Sequence, residues 1–318
     1  MTFIQTGSGI AGVLAKADKA ARSTARILIT GETGTGKEML ARHIHAAGAR
    51  AHKPFIAVNC ASLSAELLES ELFGHVRGAF TSALRAHDGL VRAADGGTLF
   101  LDEIGELAPA LQAKLLRFVE TAEFRKIGAT AVERADVRII SATHRDLKRM
   151  AQQRRFREDL YFRLAVLTLA LPPLRARQDD ILPLAKHFIA ALAVQENRAA
   201  PQLTADAEAA LLAHDWPGNI RELQNTLHQA LILHDGATLT AAQITTVAAD
   251  AVLATLRAAA RPQPLWLVQE AAIDAALQWC HGNIPRAAAL LEVSPSTLYR
   301  RRVAPLQTTQ TTEFEDSF

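Results

Sequence analysis

The chain has 318 residues, 49% of them hydrophobic, and a formal net charge of +2. That length and apolar content suit two or three domains with buried cores, and so small a charge excludes a uniformly basic nucleic-acid binder, so any DNA contact has to come from a local patch. Cys60 and Cys280 are too few and too far apart for a disulfide framework or a zinc site, Met1–Ile4 lacks a signal peptide's basic start, and the most apolar run, Leu164 to Leu174, is short and holds Pro172 and Pro173, which points to a soluble cytoplasmic protein with core cysteines and no membrane partner.

In chain order, an Ala-rich stretch from about Ser8 to Ser23 carries Ile10, Val13 and Leu14 on one side and predicts a helix. Ile27 to Thr30 predicts a short strand, and the apolar spacing from Glu38 to His45 predicts another helix. Between them stands the glycine-rich run Gly31, Glu32, Thr33, Gly34, Thr35, Gly36, Lys37. Strand, glycine loop and helix form the setting of a phosphate-binding loop. Its glycines turn backbone N–H groups inward, the helix N-terminus adds partial positive charge, and Lys37 reaches the β- and γ-phosphates. The bland alternative is an ordinary glycine turn. Glu38 stands where the general motif has a Ser or Thr ligand to Mg²⁺.

Phe55 to Val58 predicts a second strand that ends at Asn59, either a ligand-facing polar group at a strand's C-terminal edge or a turn residue. A helix from a Ser64 cap to Leu72 leads into Phe73-Gly-His-Val-Arg-Gly-Ala-Phe-Thr-Ser-Ala83, in which composition alone favours a buried Phe80. Thr98 to Leu101 predicts a buried strand that delivers Asp102 and Glu103 at its end. A nucleotide hydrolase needs such a pair, Asp102 to hold Mg²⁺ and Glu103 to orient or deprotonate water, although acids at a helix start look similar. A helix from Pro109 to Thr121, a hairpin over Phe124 to Arg134, a fourth strand from Val137 to Ala142 ending in Thr143 and His144, and a fifth from Ala165 to Leu171 complete the pattern. Five strands alternating with helices predict an α/β fold with a mainly parallel sheet. The basic stretch 154–163 reads either as a solvated face paired with Glu158 and Asp159 or as a source of arginines, Arg157 and Arg163, for a neighbouring subunit's γ-phosphate.

Past Leu174 the pattern is wholly helical: about Asp180–Gln195, Ala205–His214 capped by Thr204, then a break at Trp216–Asn219 and a helix from Ile220 to His234. Arg221 in its first turn opposes the helix dipole, which an anionic ligand would explain. After an Ala-rich stretch and an Arg-Pro-Gln-Pro linker, helices are expected over Trp266–Cys280, Ile284–Leu291 and, capped by Ser294, Pro295–Arg302. Ala287 and its neighbours permit close helix approach, and Thr297, Tyr299 and the arginines from Arg300 give the last helix hydrogen-bond donors. That is a helix-turn-helix suited to the DNA major groove, or else a small helical packing domain with a basic surface. The tail from Thr308 is expected to be disordered.

The motifs GETGTGKE (31–38), ELFGHVRGAFTSA (71–83), GGTLFLDEIGEL (96–107), SATHRDL (141–147), FREDLYFRL (156–164), LPPLRAR (171–177), WPGNIREL (216–223) and GNIPRAAALLEVSPSTLYRR (282–301) occur in order over nearly the whole chain. In them the chain resembles the bacterial enhancer-binding proteins, AAA+ ATPases that activate sigma-54 RNA polymerase. The resemblance implies a AAA+ α/β core over 1–175, a helical lid over 176–248, a linker over 249–264, a Fis-type helix-turn-helix over 265–305 and a tail over 306–318. It implies ATP and Mg²⁺ as cofactors and a nucleotide site of residues 31–38 with Arg221 as sensor II. It makes Asp102 and Glu103 the Walker B pair, Asn59 the switch residue restraining the glutamate, Thr143 sensor I, and Arg157 and Arg163 arginine fingers. Gly78, Ala79, Phe80, Thr81, Ser82 and Ala83 become the loop that contacts sigma-54, with Phe80 presented rather than buried, and Arg286, Ser296, Thr297, Arg300 and Arg301 become DNA contacts. Partners so implied are the sigma-54 holoenzyme, enhancer DNA and further copies of the chain, from dimer to hexamer. Glu38 after the lysine is a family feature.

The departures are Ser82 for the loop's second glycine, His144 where Asn is frequent, and Ala165 where Asn is usual. No receiver or GAF segment stands before the core in this sequence, so control is expected from a separate regulatory protein, from expression level, or from a segment beyond the boundary of this sequence. The rival reading is a DNA-binding regulator whose AAA+ core serves assembly or ligand sensing without engaging sigma-54. A protease- or helicase-type remodelling ATPase is a third, against which the C-terminal helices argue.

Overall fold

The computed structural model describes residues 8–80, 83 and 85–244, and part of 273–298. The first stretch runs α1 (Ser8–Ala21), β1 (Ile27–Thr30), α2 (Lys37–Ala46), β2 (Phe55–Asn59), α3 (Ala65–Phe73), the single turn α4 (Leu90–Ala93), β3 (Thr98–Asp102), α5 (Pro109–Thr121), β4 (Glu123–Phe124), β5 (Glu133–Arg134), β6 (Arg138–Thr143), α6 (Leu147–Gln152), α7 (Glu158–Leu164) and β7 (Leu167–Ala170). Local chemistry sets the boundaries. The Ser64 hydroxyl accepts the Leu67 N–H at the start of α3, Pro109 opens α5, and the Asp146 carboxylate caps α6.

The five long strands form one parallel sheet in the order β2-β3-β6-β1-β7. Side chains alternate across it, as a sheet covered on both faces requires. Leu28, Leu99, Leu101 and Ile139 join a core with α3, α5, α6 and α7, while Ile27, Ile29, Phe100, Ile140 and Leu169 join one with α1 and α2. The fold is therefore the expected α/β class. The fifth strand is shorter than 165–171 because Ala165 still closes α7. The fourth includes Thr143, and the expected hairpin is β4 paired antiparallel with β5.

The second layer comprises α8 (Ile181–Gln195), β8 (Gln202–Leu203), α9 (Ala205–Ala213), α10 (Asn219–Leu233) and β9 (Thr238–Leu239). It is not wholly helical, since β8 and β9 pair in parallel. Thr204 stands at the start of α9, but its hydroxyl donates to the Leu239 carbonyl instead of capping the helix. That bond fixes the short pair and seats Leu239 in the core.

Trp216 centres that core. It is fully buried, with its indole N–H donated to the Leu211 carbonyl at 2.9 Å. Contacts divide the chain into Met1–Ala249 and Asp250–Phe318. In the latter, the helix Ile284–Leu290 starts at Asn283, whose side chain accepts the Arg286 N–H, and Ala287 and Ala288 pack with Cys280 and Leu298. The linker, the tail and all but Leu298 of the helix expected from Pro295 lie outside the described residues, as does most of the helix expected over 266–280. Both cysteines are buried, and burial pushes the Cys60 thiol up to about 12.

Trp216→Ala is expected to lower the unfolding free energy by about 3–5 kcal/mol, because it leaves a cavity and an unpaired Leu211 carbonyl. Trp216→Phe, which keeps most of the volume, is expected to lose less. Urea denaturation of the two variants checks this, and equal losses would contradict the packing assignment.

Candidate nucleotide-binding site

The strand order places four functional strand ends side by side. In register Asn59 lies opposite Asp102 on β2 and β3, and Thr30, which feeds the glycine loop, lies opposite Thr143 on β1 and β6. A cavity of about 500 Å³ opens over these ends, lined by Gly34, Gly36, Lys37, Glu38, Asn59, Asp102 and Glu103 from the sheet layer. Arg177, Leu184, Phe188, Ile220 and Arg221 close it from the helical layer. Both walls carry charged groups, and Leu184, Phe188 and Ile220 add apolar surface from the helical layer, which suits a ligand with a charged end and a flat apolar end.

The glycine loop is held from both sides. Gly34 has a φ of +81°, and a Cβ there would stand 2.2 Å from the Gly218 carbonyl oxygen, so only glycine fits between loop and helical layer. Ile220 donates its N–H to the Gly34 carbonyl at 3.0 Å. Asn219, fully buried at a φ of +55°, accepts the Leu174 N–H and donates to Glu32 Oε2 and to the Thr33 carbonyl. Arg175 forks onto Glu32 at 2.9 and 2.5 Å, and the buried Arg177 donates to the Thr35 carbonyl. Arg175 and then Asn219 hold the Glu32 carboxyl down to about 2. Thr35 is itself buried, its hydroxyl donated to the Glu32 carbonyl.

Lys37 is buried and in this state turns its ammonium to the Gly31 and Glu32 carbonyls at 3.0 and 3.3 Å and to Glu103 Oε1 at 3.6 Å. Glu103 sits in left-handed backbone at a φ of +52°, an uncommon conformation for a residue with a Cβ and one that swings its side chain under the loop. Its Oε2 accepts from the backbone N–H of His144 at 3.3 Å and from the ring Nδ1 at 2.7 Å. Burial pushes the Glu103 carboxyl up, but the bonds from His144 and the charge of Lys37 outweigh it and hold it below its ordinary value. Burial and the neighbouring Glu103 charge raise Asp102 instead.

Other expected residues fall elsewhere. Asn59 lines the cavity, but its side-chain oxygen accepts the Ala61 N–H in a turn and makes no hydrogen bond to Glu103. Thr143 is buried, its hydroxyl accepting the Arg145 N–H. Glu38 reaches the cavity edge and pairs with Arg42. Arg221 is exposed on the cavity wall and has no hydrogen bond or ion pair among the described residues. Arg157 and Arg163 do not line the cavity of their own chain; they are exposed and paired with Asp159 and Glu120. In the loop, Phe80 is exposed at 37% with its ring 4.9 Å from that of His75, which agrees with the presented reading and not with the buried one. Ala83 belongs to the stem rather than the tip, since it is buried and bonds back to Gly78 and Phe80. Thr81, Ser82, Ser296, Thr297, Arg300 and Arg301 lie outside the described residues, whereas Arg286 is exposed. Sequence reading passed over Asn219, Arg175 and Arg177, because a Trp-Pro-Gly-Asn break and basic residues near a proline pair carry no ligand signature.

Fold and site define a AAA+ P-loop nucleotide-binding protein with a helical lid. The family described as the Sigma-54 interaction domain matches residues 3–170, the AAA+ ATPase lid domain matches 175–258, and the bacterial regulatory protein, Fis family, matches 264–303. The regulatory protein LuxO of Vibrio cholerae is 45% identical over 309 residues, 94% of this chain and 68% of that protein. The transcriptional regulatory protein ZraR of Escherichia coli is 44% identical over 278 residues, 87% of this chain and 63% of that one. The crystal structure of NtrX from Brucella abortus in complex with ATP superimposes with a TM-score of 0.72 at 33% identity, over 95% of this chain and 68% of that one. This chain belongs to the sigma-54-interacting AAA+ family of bacterial transcription regulators. Among the described residues no helix is long and apolar enough to cross a membrane.

Asn219→Ala removes four side-chain hydrogen bonds and places a Cβ without a compensating side chain in left-handed backbone, so a loss of about 2–4 kcal/mol in stability is expected together with weaker nucleotide binding. Thermal melts with and without nucleotide check it. The exposed Glu32–Arg175 pair contributes about 1 kcal/mol or less. Because the Glu32 pKa is depressed, that contribution is full above its unfolded value of about 4.3 and fades as pH falls toward about 2, so the gap between wild type and Glu32→Gln is expected to narrow from about pH 7 to about pH 3.

Proposed function

We propose that this chain is an ATP-driven transcription activator: it binds ATP with Mg²⁺ in the cavity, hydrolyses it as a homo-oligomer of up to six copies, and drives the Gly78–Ala83 loop against the sigma-54 holoenzyme to open promoters. The observation that carries the reading is the meeting of Lys37, Asp102, Glu103 and the unpaired Arg221 in one cavity between sheet and lid. The complex of the related NtrX with ATP supports it.

Lys37 is preset for exchange, since phosphate oxygens offer its ammonium better partners than two loop carbonyls and a carboxylate at 3.6 Å. Arg221 supplies a second cation from the lid, so that loading the cavity draws loop and lid together. Glu103 accepts a proton from the attacking water. The fit for Mg²⁺ rests on the charge at the strand ends. Two carboxylates, Asp102 and Glu103, face one ammonium, and burial together with the Glu103 charge raises Asp102. Among the described residues no cluster of three His, Cys, Asp or Glu is arranged to hold a metal unaided, which suits an ion held by one carboxylate and phosphate oxygens. Asp102 would hold it, and its chemistry there is to neutralise phosphate charge. Arg157 and Arg163, outside their own cavity, act in a neighbouring copy's site. Asn59 stays within reach as a switch, and Thr143 fixes the turn beside it as sensor I. The Fis-type segment, through Arg286, Ser296, Thr297, Arg300 and Arg301, holds the assembly at enhancer DNA in the cytoplasm.

Two outcomes are expected. Lys37→Ala weakens ATP binding, whereas Glu103→Ala binds ATP but hydrolyses it slowly; titration with a fluorescent ATP analogue and steady-state phosphate release separate the two, and equal loss of affinity in both contradicts the roles. Phe80→Ala leaves ATPase and operator binding intact but abolishes transcription in vitro from a sigma-54 promoter. If wild type hydrolyses ATP and binds DNA yet neither opens the promoter nor binds sigma-54 in any nucleotide state, the non-engaging regulator is the right reading.

A further inference from the structure

The Glu103 carboxylate is engaged through both oxygens, and by different elements. Oε1 faces the Lys37 ammonium at 3.6 Å. Oε2 receives two donors from a single residue of the adjacent strand end, the backbone N–H of His144 at 3.3 Å and its ring Nδ1 at 2.7 Å. Asn59, to which the family resemblance gives the restraint of this glutamate, donates no side-chain N–H to Glu103 here; its side-chain oxygen accepts from the Ala61 N–H. We propose that His144 is the positioning residue for Glu103, holding it by one oxygen so that the other is released toward the attacking water when Lys37 turns to the phosphates. The proposal rests on the ATPase reading above.

The geometry supports a held rather than a passing contact. An ionised carboxylate only accepts hydrogen bonds, so Nδ1 carries the proton and the neutral ring is the Nδ1–H tautomer. Two donors converging on one oxygen fix the direction of the carboxylate plane, whereas a single bond at 3.3 Å lets it pivot. The two oxygens also differ in what nucleotide does to them. The Lys37 contact is the one that bound phosphates compete for, and the His144 contact has no competitor in the cavity, which His144 does not line. Loading the site thus frees Oε1 while Oε2 stays tied. Water then attacks the γ-phosphorus, the bond to the bridging oxygen breaks with its electron pair leaving on ADP, and one water proton passes to Oε1. His144 does not line the cavity and acts through Glu103.

The test uses the full chain. In His144→Ala, which keeps the backbone donor, kcat for ATP is expected to fall about 10- to 100-fold, with affinity for a fluorescent ATP analogue within about twofold. In His144→Asn, which returns a short N–H donor, part of kcat is expected back. Adding His144→Ala to Glu103→Gln is expected to cost nothing further. Independently of activity, long-range ¹⁵N–¹H spectra of the nucleotide-free protein are expected to show the His144 ring as the Nδ1–H tautomer, reverting to Nε2–H in Glu103→Ala. An unchanged kcat in His144→Ala, a parallel fall in kcat, affinity and melting temperature, or an Nε2–H ring in wild type would overturn the proposal. Failure of the ATPase reading looks different: wild type then hydrolyses no ATP, or Glu103→Gln hydrolyses it as fast as wild type.

Discussion

The arrangement depends on one buried asparagine. Asn219 begins α10, and beside a local bond to the Pro217 carbonyl its side chain makes three bonds to other parts of the chain: the Leu174 N–H at the lid entrance, the Glu32 carboxylate and the Thr33 carbonyl. A fully buried amide tolerates no unpaired donor or acceptor. The glycine loop and the lid can therefore separate only by breaking several bonds together. The absence of a Cβ at Gly34 follows from the same constraint, since the lid turn at Gly218 occupies the space a side chain would take. A phosphate-binding loop elsewhere needs glycine to bring its N–H groups near a ligand. Here it also needs glycine to admit another part of the protein.

The second constraint is electrostatic. The strand ends carry Asp102 and Glu103 against Lys37, and the structure balances them by sharing: Lys37 takes one oxygen of Glu103, His144 the other, and the backbone N–H of Glu103 goes to Asp102. The imbalance left over falls on Asp102, whose carboxyl is raised by burial and by Glu103. Nucleotide entering this cavity exchanges partners rather than filling a void, so its affinity reflects the difference between phosphate and carbonyl partners for Lys37 and not the full strength of either.

The parallel sheet and its strand ends were legible because buried β-branched runs bounded by polar residues have few other uses. Asp102 and Glu103 were legible for the same reason, standing at the end of such a run, and Lys37 because a glycine-rich loop between a strand and a helix has few other uses. What stayed hidden was every residue whose role depends on a partner far along the chain. Asn219 lies 187 positions from Glu32 and His144 lies 41 positions from Glu103, and nothing in local spacing announces such pairs. The β8–β9 pair was missed because two residues carry no periodicity. Thr204 was misread because a hydroxyl before a helix has two possible acceptors or donors, and here the Leu239 carbonyl wins.

In the proposed mechanism, Phe80 is where the two halves meet. Its ring rests on His75, whose own ring is fixed by the Ser70 hydroxyl at Nδ1 and the Arg85 carbonyl at Nε2. The carbonyl can only accept, so Nε2 carries the proton and the platform has one orientation. Below it the stem is bridged to residue 127, and α3 ends at Phe73 in the aromatic cluster with Phe118 and Phe124. The apolar tip is thus half covered by its own protein while its base is rigid. A partner that takes Phe80 has to outcompete His75, and any work done on that partner equals the difference in this competition between nucleotide states. A fully exposed tip would bind in every state and a buried one in none, so a partly covered ring on a fixed imidazole is the arrangement in which a modest change at the stem changes which contact wins.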